Sequence, residues 1–263
     1  MRPLLSRELL LAAAVAVVGV GSVVALGALG WPGAPFDCTT SPCYCEQPRE
    51  GLVRQLGNTW SNLAAVFAAL VVAFLAARAR DHRTLPHPAL DLFGLLAPPA
   101  LVFQGVGSMY FHAGLTVWGA ALDAMSMFAI AGLLVVMQLH RLGSVPLERI
   151  VPAWGVVVAV GLVVGFVSPA IVAASVFVLF LTVLGTEVRA SARGLSPSQA
   201  LFRVGLVLHV SAVAVWFFSA GEGLPLCAPE SPWQGHGLWH VLTAASVSLS
   251  VLHVQRNLER RPG

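Results

Sequence analysis

Lysine is absent from the 263-residue sequence, and charged residues of both signs make up only 10% of it. Soluble globular domains carry about 25% charged residues. Hydrophobic residues account for 57% of the chain, and its mean hydropathy is +0.81. These values exclude an ordinary soluble domain and predict an integral membrane protein.

Long apolar runs separate the few charged residues. A hydrocarbon core of ~30 Å is crossed by about 20 helical residues, and eight runs approach or exceed this length. Ser168 and Pro169 divide the longest uncharged run into two helices. We therefore predict an all-α, polytopic transmembrane helix bundle with spans at residues 9–30, 60–77, 90–111, 117–139, 150–167, 170–184, 201–219 and 237–254.

The arginines are distributed unevenly between the two sides of these spans. Of the 15 arginines, 13 fall on one side, and Arg49 and Arg54 fall on the other. The positive-inside rule then places both termini in the cytoplasm. Basicity carried by arginine alone, with helices rich in alanine, valine and glycine, is typical of a GC-rich bacterial genome, so we predict a bacterial plasma membrane. The net charge of +3 reflects this topology and gives no sign of nucleic-acid binding.

The predicted topology places all four cysteines on the outer side of the membrane, where disulfides are permitted. Four cysteines allow three complete pairings, and the sequence does not choose among them. A bridge from the 43–45 region to Cys227 would tie the first outer loop to the loop before the last span. Reduced thiols without partners are the alternative. The cysteines are Cys38, Cys43, Cys45 and Cys227.

Residues 1–36 hold the first span, which has two interpretations. Arg2 and Arg7 followed by an apolar run are also typical of a cleaved signal peptide. The run is longer than the hydrophobic region of most signal peptides, which favours a retained helix or signal anchor. Either interpretation leaves the other seven spans and their orientation unchanged.

Polar and ionisable residues interrupt three of the apolar spans at similar depth. An ionisable group inside a membrane is costly and is by default a candidate for function. Ser108 and His112 end the third span four residues apart, and Asp123 lies in the fourth. His236 and His240 open the eighth span, again four residues apart. Residues four apart share a helix face, so the three helices can form one site in the outer half of the membrane.

The three histidines suit a catalytic zinc site. Two histidines one turn apart and a third from elsewhere provide three nitrogen ligands, with a fourth position left for water. The candidate ligands are His112, His236 and His240. Asp123 is the candidate general base, because we expect no other acidic residue to be buried in a span.

Each part of this pattern also has an ordinary structural interpretation. A His-x-x-x-His pair at a helix N-terminus can bond to the backbone or to interfacial water. A lone intramembrane aspartate can relay protons or stabilise the bundle through a hydrogen bond, and a serine such as Ser108 is common where helices pack. His209, which has no partner in mid-span, and His253, at the cytoplasmic end, are predicted to be structural.

The segments that carry the candidate residues resemble those of alkaline ceramidases. They read GSMYFHAGLTVWGAALDAMSM and GHGLWHVLT, and GNTWSN resembles the segment that begins the family's first core helix. The order Ser-x-x-x-His, an aspartate eleven residues later, and His-x-x-x-His in the last helix matches the family pattern. Alkaline ceramidases belong to the CREST group of seven-helix membrane hydrolases, which also includes adiponectin-receptor-like proteins.

The resemblance covers roughly residues 43–254 and implies an overall organisation. Residues 37–263 would form a seven-helix ceramidase-like domain, and residues 1–36 would add one N-terminal transmembrane helix. The family also has a disulfide between its N-terminal loop and the loop before its last helix. By resemblance, Cys45 and Cys227 would form this bond.

The resemblance also implies a function and a role for each candidate residue. His112, His236 and His240 would bind zinc, Asp123 would activate water, and Ser108 would help to hold the zinc site or the oxyanion. The substrate would be a membrane lipid, either ceramide or a related N-acyl lipid, whose amide bond is hydrolysed to a fatty acid and a sphingoid-type amine. The alternative is a non-enzymatic seven-helix lipid receptor or scaffold with a structural zinc.

The first outer loop departs from the calcium site of the family. Only Glu46 is retained in register, and Gln55 stands where a later glutamate of the family would fall. Calcium prefers six to eight oxygen ligands, several of them carboxylates. We therefore expect calcium to bind poorly unless Asp37 or Glu50 substitutes for a missing ligand.

Overall fold

A computed structural model describes residues 6–39, 43–83 and 85–259 of the chain. In these three ranges the regular structure is helical, apart from one isolated β-bridge between Pro35 and Thr116. Three arginines that contribute to the predicted topology, Arg2, Arg260 and Arg261, lie outside the described residues.

The described residues form nine α-helices and one 3₁₀ turn at Leu147–Arg149. By length and composition, eight helical segments can cross a membrane, with α2 and α3 together forming one of them. The predicted fold class, a seven-helix core with one extra N-terminal helix, is confirmed. The helices are α1 (Arg7–Leu29), α2 (Leu56–Ser61), α3 (Leu63–Asp81), α4 (Pro88–Gly114), α5 (Val117–Arg141), α6 (Ile150–Val167), α7 (Pro169–Ala192), α8 (Ala200–Ser219) and α9 (Gly235–Glu259).

Four helices form the centre of the bundle. Helix α4 packs between α3 and α5, and α9 packs against both α3 and α8. Helices α1, α6, α7 and α8 are far less buried, and they expose apolar side chains such as Val17, Val156, Phe177 and Val207. Such faces are stable against lipid tails, because the tails are as apolar as the side chains themselves. The extra helix α1 packs against α3 and α4.

The second membrane segment begins earlier than predicted and is interrupted. It runs from Leu56 rather than from residue 60, and α2 gives way to α3 at Asn62. The carboxylate of Glu46 accepts hydrogen bonds from the backbone N–H groups of Gly57 and Asn58. A negative charge there is favourable because the first N–H groups of a helix have no partner within the helix.

The prediction that Asp123 is the only acidic residue buried in a span is wrong. Helix α7 continues to Ala192, well past the predicted end at residue 184, and includes the buried Glu187. Glu8 is also buried, in the first turn of α1. Both carboxylates are tolerated because each has an arginine partner: Arg141 contacts Glu187, and Arg80 contacts Glu8. Asp123 itself is half-buried.

Candidate metal centre

Three histidines converge where α4 ends and α9 begins. His112 lies in the last turn of α4, and His236 and His240 lie in the first two turns of α9. One ring nitrogen from each lies within 4.8 Å of the others, and all three residues are at least 95% buried. The arrangement could hold a metal ion.

The partners of His112 determine which of its ring nitrogens is free. Its Nδ1 lies 2.7 Å from Oε1 of Gln55. The Nε2 of Gln55 donates to the carbonyl oxygens of Cys43 and Glu46, so Oε1 is the acceptor that faces the histidine. Nδ1 of His112 therefore carries the hydrogen, and the lone pair lies on Nε2. That Nε2 is buried and has no hydrogen-bond partner among the described residues.

His240 is oriented by the segment between α2 and α3. Its Nδ1 lies 2.8 Å from Oγ of Ser61 and 3.2 Å from Nδ2 of Asn62, which donates to the carbonyl oxygen of Asn58. Because Oγ of Ser61 donates to the carbonyl oxygen of Asn58, it can accept the Nδ1 hydrogen of His240. The Nε2 of His240 then presents its lone pair to the site, 3.4 Å from Oγ of Ser108.

The donor set fits zinc. Both ring nitrogens of His236 are buried without a hydrogen-bond partner in the described part of the chain, as is Nε2 of His112. Leaving such groups unpaired is costly, and a metal ion would satisfy them. Three neutral imidazoles, two of them oriented through the opposite ring nitrogen, match the ligands and the outer hydrogen bonds of catalytic zinc sites.

Two aromatic rings stack on His236. The ring of Tyr44 lies 3.5 Å from it between centroids, with an interplanar angle of 14°, and Trp239 stacks at 4.9 Å. Tyr44 has φ 64°, in the left-handed region that bulky residues rarely adopt. Loss of hydration, followed by the charge of Asp123, raises the pKa of the Tyr44 hydroxyl.

Asp123 and Ser108 face a small cavity beside the histidines. His240 and Trp239 also line it, and its volume of about 10 Å³ admits roughly one water molecule. The hydroxyl of Ser108 interacts with the carboxylate of Asp123 as well as with His240. The structure thus brings together all five residues that the sequence nominates as zinc ligands, base and supporting hydroxyl.

The residues that orient the histidines were not predicted. In the sequence, Gln55 stands out only as a departure from the calcium site of the family, and Ser61 and Tyr44 have no predicted role. A signal was present for Ser61, because it lies in the polar GNTWSN segment at the head of an apolar span. No comparable signal marks Gln55 or Tyr44, whose contacts depend on the path of a loop.

Two disulfides hold the loops that border the site. Cys38 is bonded to Cys43, and Cys45 is bonded to Cys227. All four cysteines are therefore paired, and the alternative of reduced thiols is wrong. The bond between Cys45 and Cys227 is the one that the resemblance implies. It joins the loop before α2 to the loop before α9, and so connects two of the segments that carry the site.

His209 and His253 lie away from the three histidines. His209 stacks on Phe180 with ring centroids 4.1 Å apart. His253 is buried in the C-terminal half of α9, where its Nε2 lies 2.9 Å from Oε1 of Glu187. Neither belongs to the cluster that could hold a metal.

The fold and the site define a polytopic membrane protein with a buried three-histidine centre beside a carboxylate. The family model described as Ceramidase matches residues 44–258, which is most of the chain. The chain therefore belongs to the Ceramidase family, and the family resemblance of the sequence motifs is confirmed. Helix α1 lies before the matched region. No curated protein sequence matches the chain at a significant level.

Proposed function

We propose that the protein is a zinc-dependent intramembrane amidohydrolase that acts on ceramide or a related N-acyl lipid. The products would be a fatty acid and a sphingoid-type amine. The observation that carries this proposal is the convergence of His112, His236 and His240 beside a cavity lined by Asp123. Membership in the Ceramidase family supports a hydrolase with a lipid substrate.

The proposed reaction assigns a step to each polar group. Zinc held by the histidines would polarise the amide carbonyl and lower the pKa of water bound beside it. Asp123 accepts one proton from the attacking water as its oxygen bonds to the carbonyl carbon. The same proton passes to the amine nitrogen when the C–N bond breaks. The hydroxyl of Ser108, which lies between Asp123 and His240, donates to the developing oxyanion or holds the carboxylate.

The position of the site in the bundle suits a lipid amide. The histidines lie at one end of the helices that can cross a membrane, which would put the site near the lipid headgroups while the acyl chain remains among apolar helices. From the arginine distribution we propose that this end faces the outside and that both termini are cytoplasmic. In this orientation the disulfides lie in an oxidising compartment.

The proposal is tested on purified protein by measuring metal and products together. We expect about one zinc ion per chain by elemental analysis. Mass spectrometry should detect fatty acid released from ceramide or another N-acyl lipid, and a zinc chelator should abolish the release. The matched ester lipid, run in parallel, shows whether the enzyme requires an amide. Zinc-loaded protein that releases no fatty acid from any of these lipids would instead indicate a lipid receptor or scaffold.

A further inference from the structure

Gln55 occupies an unusual position between the metal centre and the loop at residues 43–46, which we call the cysteine loop. It directly precedes α2, and its side chain is fully buried. Its Nε2 donates to the carbonyl oxygens of Cys43 and Glu46, each at 2.7 Å. Its Oε1 accepts from Nδ1 of His112, also at 2.7 Å. One amide therefore contacts both the loop and a candidate zinc ligand.

The backbone strengthens this connection. The N–H of Gln55 donates to the carbonyl oxygen of His112 at 3.1 Å. The cysteine loop is in turn bonded through Cys45 to Cys227 in the loop before α9. Gln55 thus links the end of α4, the cysteine loop and, through the disulfide, the approach to the other two histidines.

The orientation of the amide follows from its partners. With the amide reversed, Oε1 would face the two carbonyl oxygens of the cysteine loop and Nε2 would face His112. Three oxygen acceptors would then share one space without a donor, which is unfavourable. The observed orientation satisfies both donors and the acceptor of Gln55, and it places the hydrogen of His112 on Nδ1.

The same contacts disfavour a calcium ion at this place. Calcium requires six to eight oxygen ligands, but the carbonyl oxygens of Cys43 and Glu46 already accept from Gln55. Both carboxylate oxygens of Glu46 accept backbone N–H groups of α2. The residues present do not fit the calcium of the family, because the uncharged amide of Gln55 supplies the contacts that a cation would make.

We propose that Gln55 is the positioning residue of the metal centre: its amide orients His112 for zinc and replaces a calcium ion in holding the cysteine loop. The inference rests on the proposed zinc site but not on catalysis. Hydrogen bonds to the outer nitrogen of a zinc-binding histidine fix its ring, and removing such a partner typically weakens metal binding by about 10–100-fold.

Two variants separate the two roles of the amide. Gln55→Leu removes the acceptor for His112 and both donors to the cysteine loop. Gln55→Glu keeps an acceptor for His112 but places a carboxyl group against two carbonyl oxygens, a contact that only a cation can relieve while the carboxyl group is ionised. Gln255→Leu is the matched control, because Gln255 is a buried glutamine that also donates a side-chain hydrogen bond but lies at the opposite end of α9 from His236 and His240.

The readouts are zinc affinity, by competition with a chromophoric chelator, and the visible spectrum of the Co²⁺-substituted protein. Gln55→Leu should lose roughly 10–100-fold in zinc affinity and show an altered cobalt spectrum, whereas Gln255→Leu should resemble the wild type. Gln55→Glu should be weak without calcium and recover when calcium is added. The wild type should bind zinc equally well in calcium-free buffer and with added calcium.

Two results would overturn the proposal. One is zinc affinity in Gln55→Leu equal to that of Gln255→Leu, and the other is a wild-type protein that loses zinc affinity when calcium is omitted. If Gln55→Leu does not fold, Gln55→Glu alone tests the proposal. A zinc affinity of Gln55→Glu that does not recover when calcium is added would contradict the idea that the amide of Gln55 replaces a calcium ion. None of these readouts needs lipid hydrolysis, so a zinc-binding but inactive wild type would count only against the proposed function.

Discussion

Gly107 on α4 lies directly against Ser126 on α5, so closely that a Cβ atom on Gly107 would fall 2.6 Å from the Cβ of Ser126. Oγ of Ser126 donates to the backbone carbonyl of Asp123. The next residue after Gly107 is Ser108, which faces Asp123 across the small cavity. The absence of a side chain at position 107 therefore sets how near the two helices bring these polar groups.

Gly107→Ala should separate α4 from α5 at the level of the site. The added methyl group meets side chain and backbone closer than 3.0 Å, and overpacking of this kind costs about 1–3 kcal/mol. We expect a lower unfolding midpoint in detergent and a larger fractional loss of lipid hydrolysis. Gly155→Ala is the control, since a Cβ there meets nothing within 4 Å. Equal behaviour of the two variants would contradict the close-packing argument.

Asp123→Asn should abolish lipid hydrolysis while zinc content and folding stay unchanged. A neutral amide cannot accept the proton of the attacking water, and general-base catalysis contributes about 10²–10⁴-fold to rate. Initial rates and elemental analysis on the same preparation measure both effects. Asp91→Asn is the control, because Asp91 pairs with Arg83 at the opposite end of α4 from Ser108. Wild-type rates in Asp123→Asn would exclude this residue as the base.

The number and order of the helices could be predicted because the length and composition of an apolar run are local properties. Their ends could not always be predicted from such runs. Helix α7 extends to Ala192 because Glu187 is held by Arg141 and His253, which are remote in sequence. Long-range pairing of this kind lets a charge enter a helix interior, and hydropathy alone ends the span before it.

The site could be predicted in part for a similar reason. A four-residue spacing places His236 and His240 on one face without any knowledge of the fold. The residues that orient them act through contacts between segments distant in sequence. Gln55 contacts His112 from the residue before α2, and Ser61 contacts His240 at the point where the helix is interrupted between α2 and α3. Neither contact follows from helical or strand periodicity.

Replacing either histidine of α9 should remove the metal. In His236→Ala or His240→Ala only two imidazoles remain, so we expect zinc content below that of the wild type after the same purification. His209→Ala is the control, because His209 is an intramembrane histidine that stacks on Phe180 away from the site. Wild-type zinc stoichiometry in His236→Ala would remove His236 from the ligand set, and the same logic applies to His240.

Cys227→Ser should destabilise the protein more than Cys38→Ser. The bond between Cys45 and Cys227 spans 182 residues, whereas Cys38 and Cys43 are separated by five. A disulfide typically stabilises by about 2–4 kcal/mol, with a larger effect for a longer closed loop. Thermal unfolding in detergent measures the two losses. We also expect lower zinc affinity in Cys227→Ser, because the cysteine loop would no longer be tied to the approach of α9. A larger loss in Cys38→Ser would refute the ranking.

A second buried polar cluster lies at the end of the bundle opposite the histidines. Glu187 on α7 accepts from Gln138 at 2.7 Å and lies 3.1 Å from Arg141, both on α5. His253 on α9 contacts its other oxygen. Arg141 also donates to Oγ of Ser196 at 2.6 Å, in the connection between α7 and α8. The cluster thereby joins three helices and a loop at this end of the bundle.

Arg141→Met should destabilise the bundle while leaving the metal centre intact. Removing one member of a buried ion pair leaves the other charge uncompensated, which costs about 3–5 kcal/mol, and Arg141 and Glu187 are each at most 1% exposed. The double variant Arg141→Met/Glu187→Met has no such charge and should recover part of the loss. Unfolding midpoints in detergent should be highest for the wild type, lower for the double variant and lowest for the single variant. Zinc content should be the same in all three proteins. A single variant as stable as the wild type would show that the pair does not hold these helices together.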